Sequence, residues 1–334
     1  MINRLLTFVF VYVLALPVWA GSGALDPAKL RLASANAIVF DTDAQRPIYS
    51  KSADEVTPIA SLTKLMTAMV VLDANLPMDE PIEVDNDDFD YLKNSRSRLR
   101  MGTTLPRREM LRLALMSSEN RAASTLARHY PGGTPAFVVA MNAKAKSIGM
   151  TRTHYADATG LSADNVSTAN DLAKLVQTAA KYPLIGEFST TPSHFVELQP
   201  FGQLLGFNNS NALVKSQSWD IQLQKTGYIR EAGRCLVMLV TIASRPFVIV
   251  LLDSVGKYTR LGDAQRVRHW LETGESMPSP VLGSPGRFHG TFGPRARVAK
   301  PTAAASAPRT TANAVRWTKS SRSKVAAATR LRPV

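Results

Sequence analysis

The sequence predicts an α+β protein in which an antiparallel sheet is flanked by helices. Three features of the chain carry that expectation. Two short strand-like segments come first, a block of helical segments follows, and a run of strand-like segments separated by turn residues comes last. The chain has 334 residues, 45% of them hydrophobic. That is enough for one large globular domain or two small ones.

Each element follows from local chemistry. AIVFDT (37–42) and RPIYSKS (46–52) are β-rich segments around the turn-like DAQ, which predicts a strand pair. ASLTKLMTAMV begins at Ala60, and its apolar character predicts a buried helix from Ser61 to about Ala74. PRREMLRLALM (106–116) has proline near its start and helical apolar spacing. ENRAASTLARHY (119–130) is a further helix, ended by Pro131-Gly132-Gly133. PAFVVAMNAKAKSIG (135–149) is another, closed by Gly149. STANDLAKLVQTAAKY (167–182) opens in the pattern of a capping box, with Thr168 three residues before Asp171. HFVEL, GQLLGFNN, DIQLQKTGY, RCLVMLVTIA and PFVIVLLD then read as successive strands, expected to pair as one antiparallel meander. A last helix spans about 257–272. No internal repeat is visible.

The two ends differ from this body. MINRLLTFVFVYVLALPVWA (1–20) has one positive charge at Arg4, an apolar run, and small residues at Val18 and Ala20. This is the pattern of a signal peptide cleaved before Gly21, and the run is short for a membrane-spanning helix. The mature protein is therefore expected to be exported. Residues 21–31 read as a linker and 32–273 as the folded domain. The formal net charge is +14. Eleven basic residues and no acidic one fall between Ser276 and Val334, which leaves +3 for everything else. The stretch from 274 to 334 is thus a polycation of Pro, Ala, Ser, Thr and Arg without apolar periodicity, expected to be disordered. The single cysteine, Cys235, cannot form an intrachain disulfide and reads as a small core side chain in a strand.

One helix poses a chemical question. Ser61 and Lys64 sit one turn apart at the start of an otherwise apolar segment. A serine hydroxyl is a poor nucleophile without a base, and a lysine serves as one only when neutral. Burial in apolar surroundings lowers a lysine pKa in that direction, and a helix N-terminus favours developing negative charge. There is no G-x-S-x-G elbow, and the five histidines stand in no triad context. By itself the S-x-x-K pair also fits an N-cap serine with a snorkelling lysine, and the same spacing recurs without meaning at Ser321–Lys324. Two further elements decide the matter. Ser118-Glu119-Asn120 falls between two helices; its decoy, Ser34-Ala35-Asn36, precedes Ser61. Lys225-Thr226-Gly227 occurs once, inside a strand. S-x-x-K, S-x-N and K-T-G in that order form the motif set of penicillin-reactive serine enzymes.

With these motifs the chain resembles the low-molecular-mass penicillin-binding proteins, the D-alanyl-D-alanine peptidases of serine peptidase family S11. The likeness covers roughly residues 30–270. DATGLSADNVSTANDLAKL (157–175) also looks like that family, and KTGYIREAGRCLVM (225–238) is similar to its endopeptidase branch. The resemblance implies the serine β-lactamase/DD-peptidase fold. It implies Ser61 as the acylated nucleophile, Lys64 as its base and Ser118 as a proton relay to the leaving amine. Asn120 would hold the substrate amide, and Lys225 would supply positive field and help keep Lys64 neutral. Thr226 would bind a substrate carboxylate or carbonyl, and Gly227 would admit an extended peptide at the strand edge. The backbone N–H groups of Ser61 and Tyr228 would form the oxyanion hole. No metal or other cofactor is implied.

The activity implied is hydrolysis of peptidoglycan peptide stems, with β-lactams as covalent inhibitors and the periplasm as the location. Endopeptidase cleavage of D-alanyl–diaminopimelate crosslinks is favoured. The alternative is a carboxypeptidase removing a terminal D-alanine, but familiar carboxypeptidases carry an added β-domain for which a body ending near 273 leaves no room. A class A β-lactamase would need a glutamate for deacylation; 149–170 holds only Asp157 and Asp164 as acids. A non-catalytic peptidoglycan-binding scaffold is the alternative of another class, and the intact motif set argues against it. The basic tail is expected to meet anionic wall or membrane phosphates; the export signal argues against nucleic acid. Asp157, His154 and Arg234 either line the site or support it.

Overall fold

The computed structural model describes residues 25–277. The expected signal peptide and the basic tail beyond 277 lie outside the described residues. In chain order, β1 (Asn36–Asp41) and β2 (Arg46–Lys51) form a hairpin. β3 (Thr57–Pro58) leads through a 3-10 turn, Ala60–Thr63, into α1 (Lys64–Asp73). β4 (Pro81–Glu83) and β5 (Thr104–Pro106) bracket a long loop, and α2 (Arg107–Met116), α3 (Asn120–Arg128) and α4 (Gly133–Ser147) follow. Next come β6 (Val166–Ser167), α5 (Ala169–Ala179), α6 (Pro183–Thr190), β7 (Ser193–Leu198) and β8 (Gln203–Asn208). β9 (Asp220–Ile229), β10 (Gly233–Ile242), β11 (Arg245–Ser254) and α7 (Thr259–Thr273) complete the order.

The main sheet has five antiparallel strands in the order β2-β1-β11-β10-β9. Its central strands are apolar at nearly every position because both faces are covered. Ile38, Val237, Val248, Val250 and Leu252 join the core built by α1 to α6. Their neighbours Ala37, Val39, Leu236, Met238, Ile249 and Leu251 point the other way, onto Val267 and Trp270 of α7. Period-2 alternation thus sends each strand into two different cores. α1 is the hub of the first core; every residue from Lys64 to Val71 is buried. Trp270 is fully buried in the second core, edge-on to Tyr49 at 6.4 Å between ring centroids.

Several expectations are corrected. The five late strands do not form one meander: β9, β10 and β11 do, whereas β7 and β8 pair only with each other. The hairpin buries Val196, Leu198 and Phe207 but exposes Phe195 and Leu204, so its apolar content covers one face only. β1, arriving from the start of the chain, takes the place beside β11 instead. Thr168 caps α5 by accepting from Asp171 N at 3.1 Å, but the reciprocal half of the capping box is missing. Asp171 turns its carboxylate to Arg152 N and Thr153 Oγ1 instead. Part of the expected linker is packed, since Pro27–Lys29 form a 3-10 turn and Leu30 is buried in the second core. The short helix α6 was not anticipated; eight residues opened by Pro183 give too little periodicity to recognise.

Candidate active site

The structure brings the three motifs to the exposed edge of β9. Ser61 lies in the 3-10 turn rather than in α1 itself, because the chain enters the helix from a strained residue: Ala60 has φ +48°. The turn is held by Thr63 Oγ1, which donates to Ala60 O at 2.8 Å, and by Ile59 N, which donates to Asn165 O at 3.0 Å. Glycines let other segments close on it. A Cβ on Gly227 would stand 3.0 Å from Ile59 O and 3.2 Å from Ser61 N. A Cβ on Gly160 (φ +81°) would stand 2.0 Å from Ala60 O.

Lys64 is fully buried, and its ammonium has three acceptors. Nζ lies 3.1 Å from Ser61 Oγ, 2.7 Å from Asn120 Oδ1 and 2.6 Å from Thr159 O. Burial pushes its pKa down to about 8, against the opposing pull of Asp157 and Glu119. Lys225 is also fully buried; Nζ donates to Ser118 Oγ at 2.8 Å and to Thr226 O at 2.9 Å. Its pKa is held well below the ordinary lysine value by burial first, then by Lys64 and Arg260. The charge of Lys64 thus adds to burial in disfavouring a second ammonium on Lys225, and an amine accepts a proton only in its neutral form. Ser118 reaches its position through a left-handed backbone, φ +63°, between α2 and α3.

The cleft, about 630 Å³, is lined by Ser61, Ser118, Asn120, Thr226, Gly227 and Tyr228 of the predicted set. The two lysines sit beneath it. Thr226 Oγ1 lies 2.7 Å from the hydroxyl of Ser210. Of the undecided residues, Asp157 supports the site from behind. Its Oδ1 accepts from Thr159 Oγ1 at 2.8 Å and Gly160 N at 2.6 Å, and its Oδ2 from Ser162 N at 2.7 Å. That turn delivers the Thr159 carbonyl to Lys64. Arg234 stacks on the Tyr228 ring at 4.5 Å, and exposed His154 lies away from the cleft. Cys235 is buried beside Gly227 in the β9–β10 register, its thiol pushed up to about 12 by burial.

Several participants were not foreseen. Ser95, from the long loop between β4 and β5, accepts from Asn120 Nδ2 at 2.9 Å. Buried Glu119, the middle residue of the S-x-N motif, receives a hydrogen bond from Ser97 of the same loop, and Arg121 donates to Leu99 O. Three successive residues thus tie the loop to the start of α3. Arg260 of α7 reaches the cleft and donates to Gly227 O at 3.0 Å. No local pattern distinguishes these serines or this arginine from surface residues. Only the likeness of 157–175 to the family pointed to the segment that carries Thr159.

Comparisons with known proteins bear on the family and the fold. A family model described as D-alanyl-D-alanine carboxypeptidase matches residues 24–256. The D-alanyl-D-alanine endopeptidase of Pseudomonas aeruginosa is 49% identical over 84% of this chain and 92% of its own length. That of Escherichia coli is 48% identical over 83% of this chain and 91% of its own. Among solved structures, the Streptomyces K15 DD-transpeptidase superposes with a TM-score of 0.68 at 27% identity, covering 72% of this chain and 98% of that one. The fold is therefore the DD-peptidase/β-lactamase fold, and the chain belongs to the D-alanyl-D-alanine carboxypeptidase family, peptidase family S11.

Proposed function

We propose that the protein is a serine DD-peptidase that cleaves D-alanyl–diaminopimelate crosslinks of peptidoglycan through an acyl-enzyme on Ser61. The observation that carries this reading is the fully buried Lys64 with its Nζ 3.1 Å from Ser61 Oγ and a pKa lowered to about 8. Neutral Lys64 takes the Ser61 proton as Oγ attacks the D-alanyl carbonyl carbon. The resulting ammonium is met by Asn120 Oδ1 and Thr159 O, two acceptors already in place. The oxyanion would be held by the N–H groups of Ser61 and Tyr228, on segments that Gly227 allows to approach closely. The C–N bond then breaks as Ser118, its hydroxyl oriented by Lys225, gives its proton to the leaving amine and takes in its place the proton held on Lys64, which is neutral again. Thr226 and Arg260 would hold the carboxylate beside that amine. Water attacks the ester carbon, and its proton returns to Ser61 Oγ.

Endopeptidase rather than carboxypeptidase action is supported by the two relatives of that name, each matched over nine-tenths of its length. β-Lactams are proposed to acylate the same serine, with the periplasm as the place of action. The basic tail is proposed to bind anionic phosphate surfaces, which vesicles of anionic lipid at low and high salt would test. Fluorescent penicillin should label the mature wild type and not Ser61→Ala. Digestion of crosslinked muropeptides should then yield monomers; release of D-alanine without loss of dimers would mark a carboxypeptidase instead. A folded wild type that takes no label would refute the enzymatic reading and favour a wall-binding scaffold.

A further inference from the structure

The cleft does not stop at Ser61. It continues along β9 to Ile229, Arg230 and Glu231 on one side and to Leu92 and Lys93 on the other. Lys93 Nζ lies 2.5 Å from Glu231 Oε1, so a cation and an anion face each other across this end. Both are part-exposed, with side chains 32% and 39% accessible. A pair of this kind adds little to fold stability and is inexpensive to part. Lys93 is nevertheless set in place: Asp90 accepts from the backbone N–H groups of Leu92, Lys93 and Ser95 at 2.8–3.0 Å. Next to it, Leu92 is 69% exposed, an apolar side chain at the mouth of the cleft.

We propose that Leu92, Lys93 and Glu231 form a subsite for a zwitterionic amino-acid side chain on the acyl half of the substrate. The proposal rests on the serine peptidase reading above. In that reading the leaving amine and its carboxylate lie toward Thr226. The acyl half therefore runs from Tyr228 toward Arg230, antiparallel to β9. A strand advances about 3.3 Å per residue, so the residue preceding the scissile D-alanine reaches the level of Ile229–Arg230. A diaminopimelate there carries a three-methylene stem that ends in one ammonium and one carboxylate. The stem fits against Leu92, the ammonium meets Glu231, and the carboxylate meets Lys93. Each charge of the Lys93–Glu231 pair then exchanges its partner for one of the substrate, so neither is left unpaired.

Three crosslinked muropeptide dimers test this: one with the donor diaminopimelate free, one with its free carboxyl amidated, and one with its free amine acetylated. Wild-type kcat/KM should fall about tenfold with either modification, the scale of a hydrogen bond to a charged group. Lys93→Ala should become indifferent to amidation yet keep its response to acetylation. Glu231→Gln should show the reverse. Fluorescent penicillin labelling reports the folded acylation centre in every variant. Normal labelling with equal cleavage of all three dimers, or variants that respond to both modifications as the wild type does, would overturn the subsite alone. Absence of labelling in the wild type would overturn the peptidase reading and the subsite with it.

Discussion

The most direct consequence of the geometry concerns pH. If neutral Lys64 is the base, acylation tracks its unprotonated fraction and rises with pH through its pKa. With that pKa at about 8, about one-tenth of the enzyme is active at pH 7 and about nine-tenths at pH 9. The second-order rate of labelling by a fluorescent penicillin should therefore rise roughly ninefold over that interval and level off. Glu119→Gln removes a carboxylate that pulls the Lys64 pKa upward, so its profile should move to lower pH. Glu119 bonds to Ser97 rather than to the cleft, and glutamine keeps an acceptor for that contact. Stopped-flow or quenched labelling from pH 6 to 10 reads both curves. A midpoint near 10.5 would mean that Lys64 is not desolvated as the structure has it. A flat wild-type profile, or a Glu119→Gln profile moved to higher pH, would refute the assignment of Lys64 as base and Glu119 as its electrostatic neighbour.

Other consequences reach stability and packing. Lys64 binds its proton less tightly folded than unfolded, so folding releases protons between pH 8 and 10.5 and stability rises with pH there. The full difference is about 3 kcal/mol; urea unfolding at pH 7.5 and 9.5 should show part of it, with a shallower slope in Lys64→Met. Gly227→Ala places a methyl 3.0–3.2 Å from Ile59 O, Ala60 Cβ and Ser61 N, mostly unyielding backbone. It should lower penicillin labelling at least about tenfold through a displaced nucleophile, while circular dichroism remains that of the wild type. Trp270→Ala empties the second core on the far side of the sheet and should cost about 3–5 kcal/mol in urea unfolding. Undiminished stability in that variant would contradict the packing described.

The motif residues show how far one-dimensional reading reaches. Ser61, Lys64, Ser118, Asn120 and Lys225 were recognisable because their residue types at fixed spacing are demanded by the chemistry. The long helices and β9 to β11 were recognisable because burial on one stripe or on two faces imposes a period on the apolar residues. Where the apolar signal was ambiguous, the reading erred. β7 and β8 carry strand-like residues but build a side hairpin, and Ser61 sits in a strained turn that local pattern rendered as helix.

Tertiary structure decided the rest. Lys64 meets Asn120 across 56 residues of chain and Thr159 across 95, and Lys225 meets Ser118 across 107. No local period encodes such meetings; they arise because β1 closes onto β11 and α1 is enclosed by the other helices. The amino-acid types, their order and their faces were in the chain itself. The proton-accepting state of Lys64 was not, because a depressed pKa comes from water removed by segments far apart in sequence. The same holds for the charged end of the cleft, where Lys93 and Glu231 face each other only once the sheet and the loop beside it are in place.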